Sequence, residues 1–220
     1  CRPPTRGSGR PLAVTETAMG WAGVALERGV IRRATLFHHT REACERELRA
    51  FGAVDGEDPR AAEVLGILRD YASGNGGAEL DSFPCEPDGE PFQKQAWLTL
   101  REIPRGETRS YGWMARRLGD AKAARAVGAA MGANPIPLWL PCHRLVAADG
   151  SLHGFGGGLA MKQALLELEG ALPRRLGELV VGLGGECPLR AFEAEAGAIA
   201  LARHLPVGGE KTRVTVGVYP

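Results

Sequence analysis

The tetrapeptide Pro141-Cys142-His143-Arg144 closes an apolar run, Ile136-Pro137-Leu138-Trp139-Leu140, and it concentrates reactive side chains in one place. A thiol attacks only as its thiolate, and a neighbouring base and a positive charge both favour that form. His143 offers the base and Arg144 the charge. Adjacent side chains of an extended chain point to opposite sides, so His143 reaches the Cys142 proton only across a turn or a bridging water. By residue type alone, an inert buried cysteine fits Cys142 as well as a nucleophile does.

Three further features bear on chemistry. Glu167 and Glu169 fall in the last turn of a helix expected over 159–169. Acids there oppose the helix dipole by about 0.3–1 kcal/mol, so one of them is a candidate to orient a histidine. A pair of ordinary exposed glutamates fits the pattern at least as well. Gly154-Phe155-Gly156-Gly157-Gly158 lacks the spacing of a phosphate-binding loop and reads as a turn where something approaches the backbone closely. The cysteines, Cys1, Cys44, Cys85, Cys142 and Cys187, are odd in number, scattered and without a Cys-x-x-Cys. That pattern predicts neither a disulfide framework nor a zinc site. No metal and no cofactor are expected.

Charge is nearly balanced over the chain, at +1, but not along it. Residues 101–144 hold eight Lys and Arg against three Asp and Glu, whereas 1–100 hold twelve against fifteen. A local basic block suits a phosphate-facing surface; an ordinary solvated face suits it too. No apolar run approaches the roughly 18 residues of a membrane helix, and no secretory leader follows the first arginines. A reducing setting without membrane contact is expected, the cytoplasm or, in a eukaryote, the nucleus. The first residue is Cys1 rather than Met, as in a fragment of a longer chain.

The elements that must position these residues divide into two halves. Residues 1–11, rich in Arg, Pro and Gly, are expected to be disordered. A strand meander follows over 12–37, with turns at Gly20 and Arg28-Gly29. A helix capped by Thr40 runs to Phe51. Asp58-Pro59 opens another, with Val64, Leu65, Leu68 and Tyr71 on one face. Ser73–Gly77 is a loop and Pro84–Pro91 a linker, where the domain boundary falls. The second half reads as helical: Phe92, Ala96, Trp97, Leu100 and Ile103 at helical spacing, ended by Pro104; a helix 111–118 capped by Ser110; and a helix 121–133 capped by Asp120. Two short helices joined by a glycine-containing turn suit a helix-turn-helix, and a plain helical hairpin in a core fits the same spacing. The helix 159–169 ends at Gly170.

Five motifs then stand in a collinear series: Phe92-Gln93-Lys94-Gln95-Ala96-Trp97; Ile103 to Tyr111; Ala124-Arg125-Ala126-Val127-Gly128; Asn134-Pro135-Ile136-Pro137; and Pro141-Cys142-His143-Arg144. Over about residues 90–170 the chain resembles the O6-alkylguanine-DNA alkyltransferases. The resemblance implies an α/β chain, with a ribonuclease-H-like domain over 12–90, a winged-helix-like DNA-binding and alkyltransferase domain over 91–170 carrying the helix-turn-helix, and a tail over 171–220 with no counterpart. It implies direct, single-turnover repair by base flipping, with the alkyl group moved from O6-alkylguanine, and by extension O4-alkylthymine, to a cysteine. The partner would be double-stranded DNA carrying the lesion, and the protein a monomer.

It also implies roles. Cys142 would accept the alkyl group, His143 would deprotonate it through a water, and Glu169 would hold the imidazole. Tyr111 would donate a hydrogen bond to the flipped guanine. Arg125 would enter the duplex in place of the base, as minor-groove readers do, with Lys122 and Ala126 beside it on the DNA. Asn134 would tie the recognition helix to the active-site turn, Phe155 would wall the pocket, the backbone near Leu145 would read the base edge, and Arg144 would face the nucleic acid. Trp139, His153 and Gly156 depart from the small aliphatic, small, and Ser or Ala residues usual there, and bear on which alkyl groups fit. Three other readings compete: a non-catalytic lesion binder of the same fold, which would lack the cysteine; a winged-helix regulator, which would carry more base-reading side chains than Lys122 and Arg125; and a thiol redox sensor, which would need a resolving cysteine.

Overall fold

The computed structural model describes residues 9–173, 200–202 and 216–218. The chain divides into two units, 1–173 and 174–220. Strands and helices both build the first, as an α/β fold.

Its sheet begins with β1 (Arg10–Thr17), β2 (Gly20–Glu27) and β3 (Val30–Ala34), an antiparallel meander. The two-residue loop between β2 and β3 has Arg28 at φ 54° and Gly29 at φ 78°. Both lie in the left-handed region, the conformation that matches strand twist in a tight hairpin. A fourth strand, β4 (Ala53–Val54), adds to β1 in parallel, giving the order β3-β2-β1-β4. Two residues carry no periodicity, so sequence reasoning passes over β4. Its pairing also corrects the expected disorder to residue 11: Arg10 and Pro11 lie opposite Ala53 and Val54. The rest of that expectation, residues 1–8, lies outside the described residues.

Alternation along β1 and β2 gives the sheet two apolar faces. Leu12, Val14, Trp21 and Ala25 pack with Cys44 and Leu48 of α1 (Arg41–Ala50). On the other face, Arg69 of α2 (Ala61–Ala72) donates to Thr15 Oγ1 at 2.9 Å. Thr40 caps α1 as expected, accepting from Ala43 N–H at 3.2 Å. Pro59 does not open α2, which starts two residues later. Asp58 instead accepts from the backbone N–H of Arg60 and of Gly29, pinning the helix start to the β2–β3 hairpin. Val64, Leu68 and Tyr71 form the buried face of α2. A short helix, α3 (Ala78–Ser82), occupies the stretch after the expected loop.

In the second half, α4 (Pro91–Thr99) continues as a 3-10 turn through Glu102, and Pro104 follows. Ala96, Trp97, Leu100 and Ile103 are buried, but Phe92 is not; it sits in the first turn, ahead of the packed face. Ser110 caps α5 (Tyr111–Arg117) by accepting from Trp113 N–H at 3.1 Å. The next helix, α6 (Ala124–Gly132), begins three residues later than expected. Asp120 Oδ1 accepts from Lys122 N–H and its carbonyl from Ala123 N–H, so it caps a separate turn. Trp97 Nε1 donates to the Ala130 carbonyl at 2.8 Å and braces α4 against α6.

A parallel pairing absent from the helical expectation joins β5 (Arg109–Ser110) to β6 (Leu145–Val146). It is only two residues long, yet it brings the start of α5 beside the chain that follows Cys142. Last in this unit, α7 (Gly158–Glu169) buries Met161, Lys162, Leu165, Leu166 and Glu169 along one face, and Gly170 ends it at φ 82°. The second unit has β7 (Ala200–Ala202) paired antiparallel with β8 (Val216–Val218); the remainder of the expected tail lies outside the described residues, apart from 171–173. Among the described residues, no helix is long and apolar enough to cross a membrane.

Candidate active site

Two consecutive turns aim the reactive residues. Pro141 adopts φ −77°, ψ 67°, and Cys142 N–H donates back to the Leu140 carbonyl at 2.8 Å, an inverse γ-turn. Residues 142–144 then form one 3-10 turn, closed by Arg144 N–H to the Pro141 carbonyl at 3.0 Å. This is the turn that an extended chain could not provide. Upstream, Leu138 has φ 73°, a strained value for a side-chain-bearing residue. Asn134 holds this segment to the end of α6: its Nδ2 donates to the Leu140 carbonyl at 2.7 Å, and its Oδ1 accepts from Ile136 N–H.

Cys142 lines a cavity of about 270 Å³ with Tyr111, Gly128, Met131, Gly132, Gly154, Phe155 and Gly156. A Cβ placed on Gly128, Gly132, Gly154 or Gly156 would meet no atom within 4 Å, so glycines leave the walls open. Gly157 is different: a Cβ there would lie 2.9 Å from Leu36 Cδ1 and 2.7 Å from Met161 Sδ, so a larger residue would make those two side chains shift. Burial pushes the Cys142 thiol up. The Asn134 side chain, the Lys162 charge and the backbone around Cys142 and His143 draw it partly back. Cys44 has no such cation and is pushed up to about 11, chiefly by burial.

Behind the cysteine, His143 is fully buried. Its Nε2 lies 3.0 Å from Glu169 Oε1, off the line of a good hydrogen bond. Among the described residues, Nδ1 has no hydrogen-bond partner. Burial opposes ionisation of Glu169, but contacts from His143 and Arg144 outweigh it and hold the carboxyl well below the usual carboxylate range.

The structure corrects the expected DNA-facing position of Arg144. Its guanidinium is buried and donates to both Glu169 oxygens, at 2.8 and 2.9 Å, and to the Ile103 carbonyl at 2.8 Å. It lies 3.3 Å from Asp81. A buried cation needs a partner, and Glu169, 25 residues away in sequence, is that partner. Leu145 is also buried, pairs with Arg109 in β6, and does not line the cavity.

Tyr111 and Phe155 meet Cys142 across the cavity. Arg125, Lys122 and Ala126 are exposed on or just before α6. Arg125 stands three residues before Gly128 and seven before Gly132, on the helix face that lines the cavity. Trp139 is wholly buried, and its Nε1 has no partner among the described residues. His153 is exposed beside Ser151, 2.9 Å from its Oγ.

Sequence reasoning missed three residues: Tyr71, which donates to Glu169 Oε1 at 2.8 Å; Asp81; and Lys162. The buried Lys162 ammonium donates to the His153 carbonyl at 3.0 Å and sits 5.8 Å from the centre of the Tyr111 ring. A lysine one residue after buried Met161 on α7 carries no local signal beyond helical spacing. Among the described residues, no group of three or more His, Cys, Asp or Glu is placed to hold a metal ion.

Residues 91–171 match the family model "6-O-methylguanine DNA methyltransferase, DNA binding domain". A methylated-DNA–protein-cysteine methyltransferase of Methanosarcina acetivorans is 50% identical over 95 residues, 42% of this chain and 61% of that protein. The match thus spans about three fifths of that relative's length. One from Mycolicibacterium paratuberculosis is 50% identical over 116 residues, 51% of this chain and 68% of that protein. The crystal structure of Mycobacterium tuberculosis OGT in complex with DNA superposes with a TM-score of 0.61 at 32% identity, covering 73% of this chain and 92% of that one. With the cysteine, histidine and glutamate assembled behind one cavity, and with these matches, the chain belongs to the methylated-DNA–protein-cysteine methyltransferase family.

Proposed function

We propose that this protein repairs DNA by moving the alkyl group of O6-alkylguanine, and of O4-alkylthymine, onto Cys142. The observation that carries this reading is the cavity itself: Cys142 lies in its wall, Tyr111 shares it, and His143 with Glu169 lies behind. A base inside a duplex cannot reach a buried thiol, so it must be flipped out, at a cost of a few kcal/mol. Arg125 fills the gap left in the duplex, while Lys122 and Ala126 face the backbone.

In the transfer, a bond forms from Sγ to the alkyl carbon as the carbon–O6 bond breaks. The electron pair stays on the guanine, whose departure is eased by a hydrogen bond from the Tyr111 hydroxyl. The thiol proton passes to His143 through a water; the buried, unpartnered Nδ1 gives such a water a second anchor. Glu169 steadies the resulting imidazolium. Asn134 fixes the turn and Phe155 walls the pocket. A thioether has no easy leaving route, so each molecule acts once.

The same reading assigns 12–90 to a ribonuclease-H-like domain and 91–170 to a winged-helix-like domain whose helix-turn-helix is α5 and α6. The sheet order β3-β2-β1-β4 with a helix on each face, and a family match beginning at 91, support that division. The protein acts as a monomer on duplex DNA, in the cytoplasm or a nucleus. Intact-mass measurement after mixing with an excess of duplex containing O6-methylguanine tests the proposal. One methyl per protein chain is expected, with no further turnover on excess DNA; an unchanged mass overturns it.

A further inference from the structure

We propose that Tyr71, in the first half of the chain, is a positioning residue for alkyl transfer, setting the proton affinity of His143 through Glu169. The inference rests on the transfer reading above and deepens it.

Glu169 Oε1 is the atom that faces His143 Nε2, 3.0 Å away. The same oxygen accepts from the Tyr71 hydroxyl at 2.8 Å and from Arg144 Nη2 at 2.9 Å. Oε2 accepts, among the described residues, from Arg144 Nε at 2.8 Å. Two donors therefore converge on the one oxygen that pulls on the imidazole. Each withdraws electron density from it, so the carboxylate steadies an imidazolium without claiming its proton. Tyr71 is suited to this: it is buried, and burial, then the Glu169 charge, push its hydroxyl well up, so it stays a donor at any working pH. The other charged groups around this cluster are accounted for. Arg144 also reaches Asp81 of α3, Arg105 sits 5.2 Å from the centre of the Tyr71 ring while donating to the Gly76 carbonyl, and Lys162 and Cys142 lie on the cavity side. None of these occupies the Tyr71 position on Oε1.

Removing the hydroxyl leaves the charge on Oε1 less neutralised, and the imidazolium next to it is favoured. In Tyr71→Phe, the midpoint at which the His143 ring titrates should rise by about half a pH unit or more, read from its ring-proton NMR shifts. The acid limb of the transfer rate with free O6-benzylguanine should move the same way. In a Glu169→Gln background, Tyr71→Phe should move neither. A purely structural role would scale the rate equally at every pH and leave the His143 midpoint in place; that result overturns the inference. The midpoint is read without any transfer, so a wild-type protein that fails to transfer would overturn the function proposed above and leave this test standing.

Discussion

The acceptor turn and the α5–α6 surface use charge in opposite ways. At the turn, Arg144, His143 and Glu169 are buried, and the charge of Arg144 is consumed by Glu169, Asp81 and a backbone carbonyl. Four more arginines of the basic block have partners nearer the surface: Arg101 and Arg105 donate to carbonyls of residues 76–83, Arg109 pairs with Glu107, and Arg117 with Glu102. On α5 and α6 and the turn between them, Arg116, Lys122 and Arg125 are exposed, without an ion pair among the described residues. A basic block read from sequence is thus two populations. One is paired with acids or carbonyls of the protein, and in the other Arg116, Lys122 and Arg125 stand exposed.

That division is sharpened first by removing the acceptor. Cys142→Ser should abolish transfer altogether while leaving lesion binding intact, because the α5–α6 surface is untouched; loss of binding would join the two regions. The next largest effect is on stability. Arg144→Met leaves the Glu169 charge buried without its cation, a loss of about 3–5 kcal/mol, whereas Arg125→Ala on the exposed helix should stay within about 0.5 kcal/mol. Denaturant titration of both variants checks this, and equal losses would break the comparison.

How far these regions were legible depends on the range of the forces that shape them. Local signals are legible in the sequence: Thr40 and Ser110 cap helices, and Gly170 ends one. The reactive tetrapeptide was legible through its neighbours in sequence. Glu169 was ambiguous, because a dipole penalty of about 0.3–1 kcal/mol is small beside three donors that arrive from distant segments. Arg144 was misassigned, since charge in sequence does not reveal which arginine is buried. Tyr71 reaches its partner across 98 residues, and β4 and β5 are two-residue strands set by pairing rather than by pattern.

Smaller effects probe the surface. Arg125→Ala should slow repair of duplex DNA about tenfold or more, since flipping costs a few kcal/mol, but leave reaction with free O6-benzylguanine unchanged. Equal slowing of both would give Arg125 a structural role. Replacing Lys122 with alanine should lower the salt dependence of DNA binding by about one unit of slope, measured by titration across salt concentrations. Smallest is an acid effect. Glu169 is held below its unfolded value of about 4.3, so the stability it contributes is full above that pH and is lost as the pH falls through the lower folded value. Melting curves of the wild type and Glu169→Gln should therefore converge as the pH drops below about 4.

The division between regions stands on Cys142 being the atom that takes the alkyl group. React the protein with a duplex whose O6-methylguanine carries a deuterated methyl, digest it, and sequence the labelled peptide by mass spectrometry. The label is expected on Cys142 alone. Label on Cys44, Cys85 or Cys187, with Cys142 unmodified, would contradict the account.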